Sequence, residues 1–284
     1  IHHCFHVVAT GETDGYYSDY AAEPVRLLGR CLSEGFAYQG EASAFAHGEL
    51  RGEASAHLPP AAFINFLQNH DQIGNRAFGE RLAHLASPAA MEAVTSILLL
   101  APQPPLLFMG EEFATTQPFQ FFCDFGPELA RLVTEGRRRE FGRFARFADP
   151  EVRASIPDPN ALATFAAGVL DWSAIDREPH RATLELHRQL LSLRHQWIAP
   201  RLAGMGNGDP QLKLLSPRCL SINWTLGDRS LLTLLANLGD DPLVATPSGG
   251  QLLFATANLD ADALASGQLP AWSVAWHLHI GDRP

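Results

Sequence analysis

The residues best suited to chemistry stand together: Asn69-His70-Asp71-Gln72 closes the short apolar run Phe63-Ile64-Asn65-Phe66-Leu67. A carboxylate beside an imidazole can serve a neutral, hydroxyl-rich ligand. Asp71 can hold hydroxyls through its two acceptor oxygens or oppose a developing positive charge, and His70 can donate to a substrate oxygen. The competing reading makes Asp71 a helix N-cap with a satisfied neighbour. Its place at the C-terminal end of a buried strand, where α/β folds gather their chemistry, favours function. Gly110-Glu111-Glu112 closes a second apolar run, Leu106-Leu107-Phe108. Either one of these glutamates caps the next turn and the other is solvated, or one orients His70, Arg76 or a ligand hydroxyl. The sequence leaves both open.

Other chemistries drop out. His2, His3 and His6 suggest a metal, but no partner carboxylate or cysteine sits at ligand spacing, and zinc needs three or four protein ligands. Neither a metal nor a cofactor is expected. There is no G-x-S-x-G for serine chemistry and no glycine loop for phosphate. Phe119, Phe121, Phe122 and Phe125, interleaved with Gln117, Gln120 and Asp124, can stack on a sugar ring, although core is the default for each Phe.

The elements that must position these groups follow the hydrophobic period. A helix is expected over about 23–35, a surface loop over 42–60, a strand at 63–67 and a short helix near 76–85. Ser87 then reads as an N-cap, with Pro88 opening a helix that ends before the prolines at 102–105. Strand, polar tip, helix, strand, polar tip is the rhythm of a parallel α/β sheet or barrel. Pro127 to Arg139 reads as a helix, its Arg137-Arg138-Arg139 turn a solvated face that complements the dipole. Leu186, Leu190, Leu193 and Trp197 give one stripe to a helix over 181–197. Beyond a linker at Gly204–Pro210, short runs at 212–215, 220–225, 230–238, 252–257 and 272–278 predict a small antiparallel sandwich. Only two buried strands precede this module, too few for a closed barrel or a stable parallel sheet.

Composition narrows the partners. A chain of 284 residues with 46% hydrophobic and 18% charged content is neither disordered, collagenous nor a coiled coil. Its net charge of −10, with Lys213 the only lysine, disfavours nucleic acid and an anionic membrane surface and is compatible with a neutral sugar. Cys4, Cys31, Cys123 and Cys219 are far apart and read as buried free thiols. The longest apolar run, Ile97 to Ala101, falls far short of the ~20 residues that cross a bilayer.

The stretch Phe63 to Arg76 resembles the fourth sequence region of the α-amylase superfamily, glycoside hydrolase family thirteen. Ala77 to Leu82 continues the likeness. Further blocks agree: His2-His3 with Thr10-Gly11-Glu12 and Gly15-Tyr16-Tyr17, Pro105 to Glu112, and Gln117 to Phe122 followed by Glu135-Gly136-Arg137. Together they resemble the members that act on trehalose-ended glucans. The likeness covers most of residues 1–200, and the module after it fits the superfamily's C-terminal β-domain only loosely. An α/β fold is implied: the C-terminal part of a (β/α)8 TIM barrel over 1–204, then a small antiparallel β-sandwich domain over 205–284. Strand seven would be Phe63–Leu67 and strand eight Leu106–Phe108.

The resemblance also implies retaining hydrolysis of the α-1,4 bond next to the terminal trehalose of maltooligosyltrehalose, in the cytoplasm. Retention takes a nucleophile after strand four and a glutamic acid after strand five, ~5–5.5 Å apart, with an aspartate after strand seven. By likeness Asp71 is that third carboxylate, and His70 contacts the sugar beside it. His2 and His3 would sit at the tip of strand six, facing the cleft. Asn69, Gln72, Arg76 and Glu112 would line or support subsites. The blocks carrying nucleophile and acid belong upstream of His2, so the chain is expected to be the C-terminal half of the enzyme and inactive alone. The expected ligands are maltooligosyltrehalose and related α-1,4-glucans, with no nucleic acid and no membrane. Two rivals stand: a non-catalytic carbohydrate-binding or complementing half-barrel, and another α-1,4-glucan enzyme such as a branching enzyme.

Overall fold

A computed structural model describes residues 1–142 and 144–281. In chain order the helices are α1 (His2–Thr10), α2 (Pro24–Glu34), α3 (His70–Gly74), α4 (Leu82–Leu85), α5 (Pro88–Leu100), α6 (Pro127–Phe141), α7 (Pro150–Ala154), α8 (Leu162–Ala167), α9 (His180–Leu193) and α10 (Ala261–Ser266). The strands are β1 (Glu41–Ala42), β2 (Leu50–Arg51), β3 (Gln211–Ser216), β4 (Cys219–Thr225), β5 (Leu231–Asn237), β6 (Leu243–Val244), β7 (Gln251–Ala255), β8 (Gln268–Leu269) and β9 (Ser273–His279). The chain divides into two compact units, one of residues 1–67, 86–106 and 185–284, the other of 68–85 and 107–184. Among the described residues no helix is long and apolar enough to cross a membrane.

The first unit is organised by a five-stranded antiparallel sheet in the order β3-β4-β5-β9-β7. The register pairs Ile222 with Leu234 and Leu234 with Trp276, so Leu220, Ile222, Trp224, Leu232, Leu234, Val274, Trp276 and Leu278 share one face. Trp224 and Trp276 stack there, centroids 5.9 Å apart, both fully buried. Helix α2 comes close to this face at Gly29, where a Cβ would lie 2.7 Å from the Leu212 side chain. The other face buries Cys219, Leu235 and Ala275 with Leu259 and Leu269, and Leu264 of α10 packs against them. Being covered on both sides, β5 and β9 carry almost continuous apolar runs rather than strict alternation.

Helix α5 starts as its sequence predicts, with Ser87 Oγ accepting the Ala90 N–H at 3.1 Å and Pro88 at its first position. Its far end is closed by Arg194, which donates to the carbonyls of Leu99, Ala101, Pro102 and Gln103. Burial lowers that arginine to about 10.

The two expected barrel strands come out far smaller. Residues 63–67 and 104–106 meet in a single parallel bridge, Asn65 to Pro105, with Asn65 N–H donating to Pro104 and Leu106 N–H donating to Asn65. Ile64 is 60% exposed: each strand has one hydrogen-bonding neighbour, so no ladder extends among the described residues. The structure thus gives a mixed helix and strand fold with an antiparallel sheet. The N-terminal segment, read as the tip of a strand, is helix α1, ended by Gly11 in the left-handed region at φ 72°.

The second unit is helical. Phe141, Phe147, Ile156 and Ala77 form its small core, with Phe78 packed against them. Gly79, at φ 67°, brings two chain segments together: Phe119 N–H donates to its carbonyl at 3.0 Å, and a Cβ there would lie 2.6 Å from the Phe119 backbone. Only glycine fits that approach.

Candidate functional site

Helix α3 carries the Asn69 to Arg76 cluster, and its caps decide what each side chain is free to do. Asn69 is the N-cap: its Oδ1 accepts the N–H groups of Asp71 at 2.8 Å and Gln72 at 3.3 Å, and Gln72 Oε1 accepts the Asn69 N–H at 3.1 Å. This reciprocal box satisfies the orphan donors of the first turn. The capping role offered to Asp71 by its sequence position therefore belongs to Asn69. Asp71 sits in the first turn with its side chain 65% exposed, and His70 Nε2 lies 3.4 Å from Asp71 Oδ1 with the ring equally open. The polar side chains on either side of this pair are taken up in holding the backbone, and the pair itself faces solvent.

Arg76 follows the helix. Its Nε reaches Glu80 Oε2 at 3.4 Å, and the same carboxylate lies 3.5 Å from Arg146. Arg76 thus belongs to an ion-paired network beside α3.

The second tip, 109–117, is drawn to the 79–85 segment by Arg81. This side chain is 1% exposed; its Nε donates to the Gln117 carbonyl at 2.6 Å and its Nη1 to the Met109 carbonyl at 2.8 Å, over the face of Phe108. Gln68 Oε1 accepts the Leu82 N–H at 2.9 Å. Gly110, at φ 82°, reverses the chain so that Glu111 turns inward and Glu112 is half-buried. Neither glutamate caps the turn. Glu111 is fully enclosed, and burial raises its carboxyl to about 8, aided by the nearby Glu112; the Gln68 side chain, the Phe108 backbone and Arg81 pull the other way. Neither of its oxygens completes a well-formed hydrogen bond. At neutral pH Glu111 is therefore mostly protonated.

His2 and His3 lie on α1 in the first unit. His2 stacks on Phe66 at 4.5 Å and His3 on Tyr16 at 4.9 Å. Burial first, then neighbouring positive groups, lowers His2 to about 3 and His3 to about 4, so both are neutral imidazoles at pH 7. One turn on, His6 stacks on Tyr17 at 4.1 Å and pairs with Glu12 at 2.7 Å. In this stack His2 and His3 make flat ring contacts, and His6 adds a contact to a carboxylate.

The structure thus brings Asn69, His70, Asp71, Gln72 and Arg76 together on and after one short helix. It also shows residues that sequence reasoning passed over. Arg81 carries no local signal beyond its apolar neighbours, and the enclosure of Glu111 matches neither the capping nor the solvated role weighed for that pair. Arg137, expected on a solvated face, is half-buried: its Nη2 donates to the carbonyls of Gly74 and Arg76, each at 2.8 Å. Phe141, four residues on and 5.1 Å from the guanidinium, was the signal, since an aromatic at that helical spacing gives an arginine a platform.

Comparison with known proteins gives this geometry a setting. Residues 211–276 match a family described as a domain of unknown function, DUF3459. A malto-oligosyltrehalose trehalohydrolase of Rhizobium sp. (strain M-11) is 37% identical over 259 residues, 90% of this chain and 41% of that protein. One from Brevibacterium helvolum is 37% identical over 281 residues, 96% of this chain and 45% of that protein. The chain is a homologue of the malto-oligosyltrehalose trehalohydrolases. It spans less than half the length of these curated relatives. A solved structure from Salmonella typhimurium, of a protein provisionally named alpha amylase, aligns at TM-score 0.89 and 40% identity over 98% of this chain and 45% of that one. At 96% coverage, the Brevibacterium match takes in the Asn69 to Arg76 cluster as well as the β-sheet module.

Proposed function

We propose that this chain is the C-terminal part of a glycoside hydrolase of the α-amylase family that releases trehalose from maltooligosyltrehalose. The observation that carries the reading is the pairing of an uncommitted, exposed Asp71 and His70 with neighbours fully engaged in capping, in a chain homologous to trehalohydrolases. In this reading residues 1–204 belong to the catalytic (β/α)8 barrel, the bridge at Asn65 and Pro105 joins strands seven and eight, and residues 205–284 form a C-terminal β-domain. The whole protein acts on soluble α-1,4-glucans in the cytoplasm.

Asp71 then binds sugar hydroxyls and favours the distorted ring of an oxocarbenium-like transition state, while the retaining nucleophile and the acid come from elsewhere in the whole protein. His70 donates to the same sugar. His2 and His3, kept neutral by burial, offer flat faces and hydrogen bonds without adding charge. Arg76 and Glu112 support the subsites, and Asn69 and Gln72 contribute through the cap that aims the helix. A single third carboxylate cannot be both nucleophile and acid, so the 284-residue chain by itself does not turn over.

The test is product analysis. The chain is fused to the part of the Brevibacterium helvolum relative that it does not match and incubated with maltooligosyltrehalose. Trehalose plus a shortened maltooligosaccharide is the expected outcome, with none from the chain alone. Branched glucan or glucose without trehalose would favour another α-1,4-glucan enzyme. Sugar binding with no hydrolysis in the fused protein would favour the non-catalytic half-barrel.

A further inference from the structure

Helix α3 is five residues long, too short to hold its shape through its own hydrogen bonds. Its N-terminal end is held by the Asn69 and Gln72 box. At its C-terminal end the carbonyls of the last turn have no partner within the helix, and Arg137 supplies one. A single guanidinium nitrogen bridges the Gly74 and Arg76 carbonyls, both at 2.8 Å. The guanidinium is set between two rings, 5.2 Å from the Phe121 centroid and 5.1 Å from that of Phe141. Burial lowers its pKa, and the charge of Glu140 one turn away pulls the other way. Beside that carboxylate, the two carbonyls at the negative end of α3 compensate a cation held partly out of water. The same device closes α5, where Arg194 gathers the terminal carbonyls.

We propose that Arg137 is a positioning residue for Asp71. It fixes the C-terminal end of α3 against α6, and with the Asn69 cap at the other end it sets the direction in which His70 and Asp71 leave the helix. The effect passes through the backbone: Asn75 N–H donates to the Asp71 carbonyl at 2.9 Å, one residue from the carbonyls that Arg137 holds. The inference rests on the role given to Asp71 above.

Amide hydrogen exchange on the 284-residue chain tests it, comparing wild type with Arg137→Met and Arg137→Lys. The Met variant keeps the packing between the two rings and removes both donors. In it the Ile73 and Asn75 amides should exchange ~10–100-fold faster relative to those of α6, the change expected for losing a charge-assisted hydrogen bond. The Lys variant, which keeps a charged donor, should recover most of that protection. Equal acceleration along α3 and α6, or none in α3, or no recovery with Lys, would overturn the proposal. In the fused protein, trehalose release should fall by about 10²-fold in kcat for Arg137→Met, with KM nearly unchanged and Lys restoring part of it. If Asp71→Asn leaves trehalose release intact, the reading of Asp71 itself fails. If Asp71→Asn abolishes release while Arg137→Met keeps full kcat, that reading stands and the positioning role fails.

Discussion

The β-sheet module and helix α3 are opposite solutions to placing side chains. In the module, Leu220, Ile222, Trp224, Leu232, Leu234 and Trp276 are buried on one face and Cys219, Leu235 and Ala275 on the other, so both faces of the central strands serve the core. Around α3, Asn69, Gln72 and Arg137 hold the backbone while His70 and Asp71 contact solvent. The first region derives its stability from area and packing, the second from a few directed hydrogen bonds. The difference teaches where function can sit: a carboxylate is available to a ligand only where the surrounding structure does not need it.

The contrast breaks most visibly in the module. Trp276→Ala removes half of the stacked pair with Trp224 from a fully buried site and should cost ~3–5 kcal/mol. Chemical denaturation read by far-UV circular dichroism would show it, and a loss below about 1 kcal/mol would mean that the sheet core is not what holds this unit together.

Glu111 sharpens the contrast from the other side, because it is a buried carboxyl at the rim of the candidate site. Its folded pKa of about 8 lies well above the 4.5 of an ordinary glutamate. Below about 4.5 the group is protonated in both states and adds no pH dependence. Between there and about 8 the unfolded chain gives up the proton while the folded one keeps it, so stability falls as pH rises, by up to ~1.4 kcal/mol per unit. Glu111→Gln should flatten that slope and be the more stable protein at pH 8, by on the order of 3 kcal/mol. Melting curves between pH 5 and pH 8 check it; parallel profiles for variant and wild type would contradict the buried-acid description.

The smallest effect is at the cap. Asn69→Ala should cost about 1 kcal/mol, seen in denaturant midpoints, with faster exchange of the Asp71 and Gln72 amides that its Oδ1 accepts.

These regions also differ in how much of them could be read from sequence. Strands β3, β4, β5, β7 and β9 fall within a residue or two of the apolar runs that predicted them, because each buried strand carries its own apolar pattern between turns, although only β3, β4 and β5 follow one another as neighbours in the sheet. Ser87 and Pro88 announced α5 for an equally local reason. The stretches 63–67 and 106–108 carry strand-like residues, but parallel pairing depends on distant segments, and here it amounts to one bridge. Helix α1 was missed because its buried residues, Cys4, Phe5, Val7 and Val8, run almost unbroken and hide the helical period. At the site, the cluster itself was legible, whereas its division of labour was not. Asn69 and Asp71 are both good cap residues, and only the φ, ψ of Asn69 and its hydrogen bonds say which one caps. The contacts of Arg137 with Gly74 and Arg76 span more than sixty residues of chain, a distance no local pattern covers.

Asp71→Asn in the fused protein is the most direct test of the account, with trehalose release and melting temperature measured on the same preparation. An exposed carboxylate outside the capping box should leave stability within about 0.5 kcal/mol of wild type, while trehalose release falls by ~10²–10³-fold. A variant that unfolds early, or one that keeps wild-type turnover, would show instead that Asp71 serves the fold or serves nothing, and that α3 is not the platform for sugar chemistry.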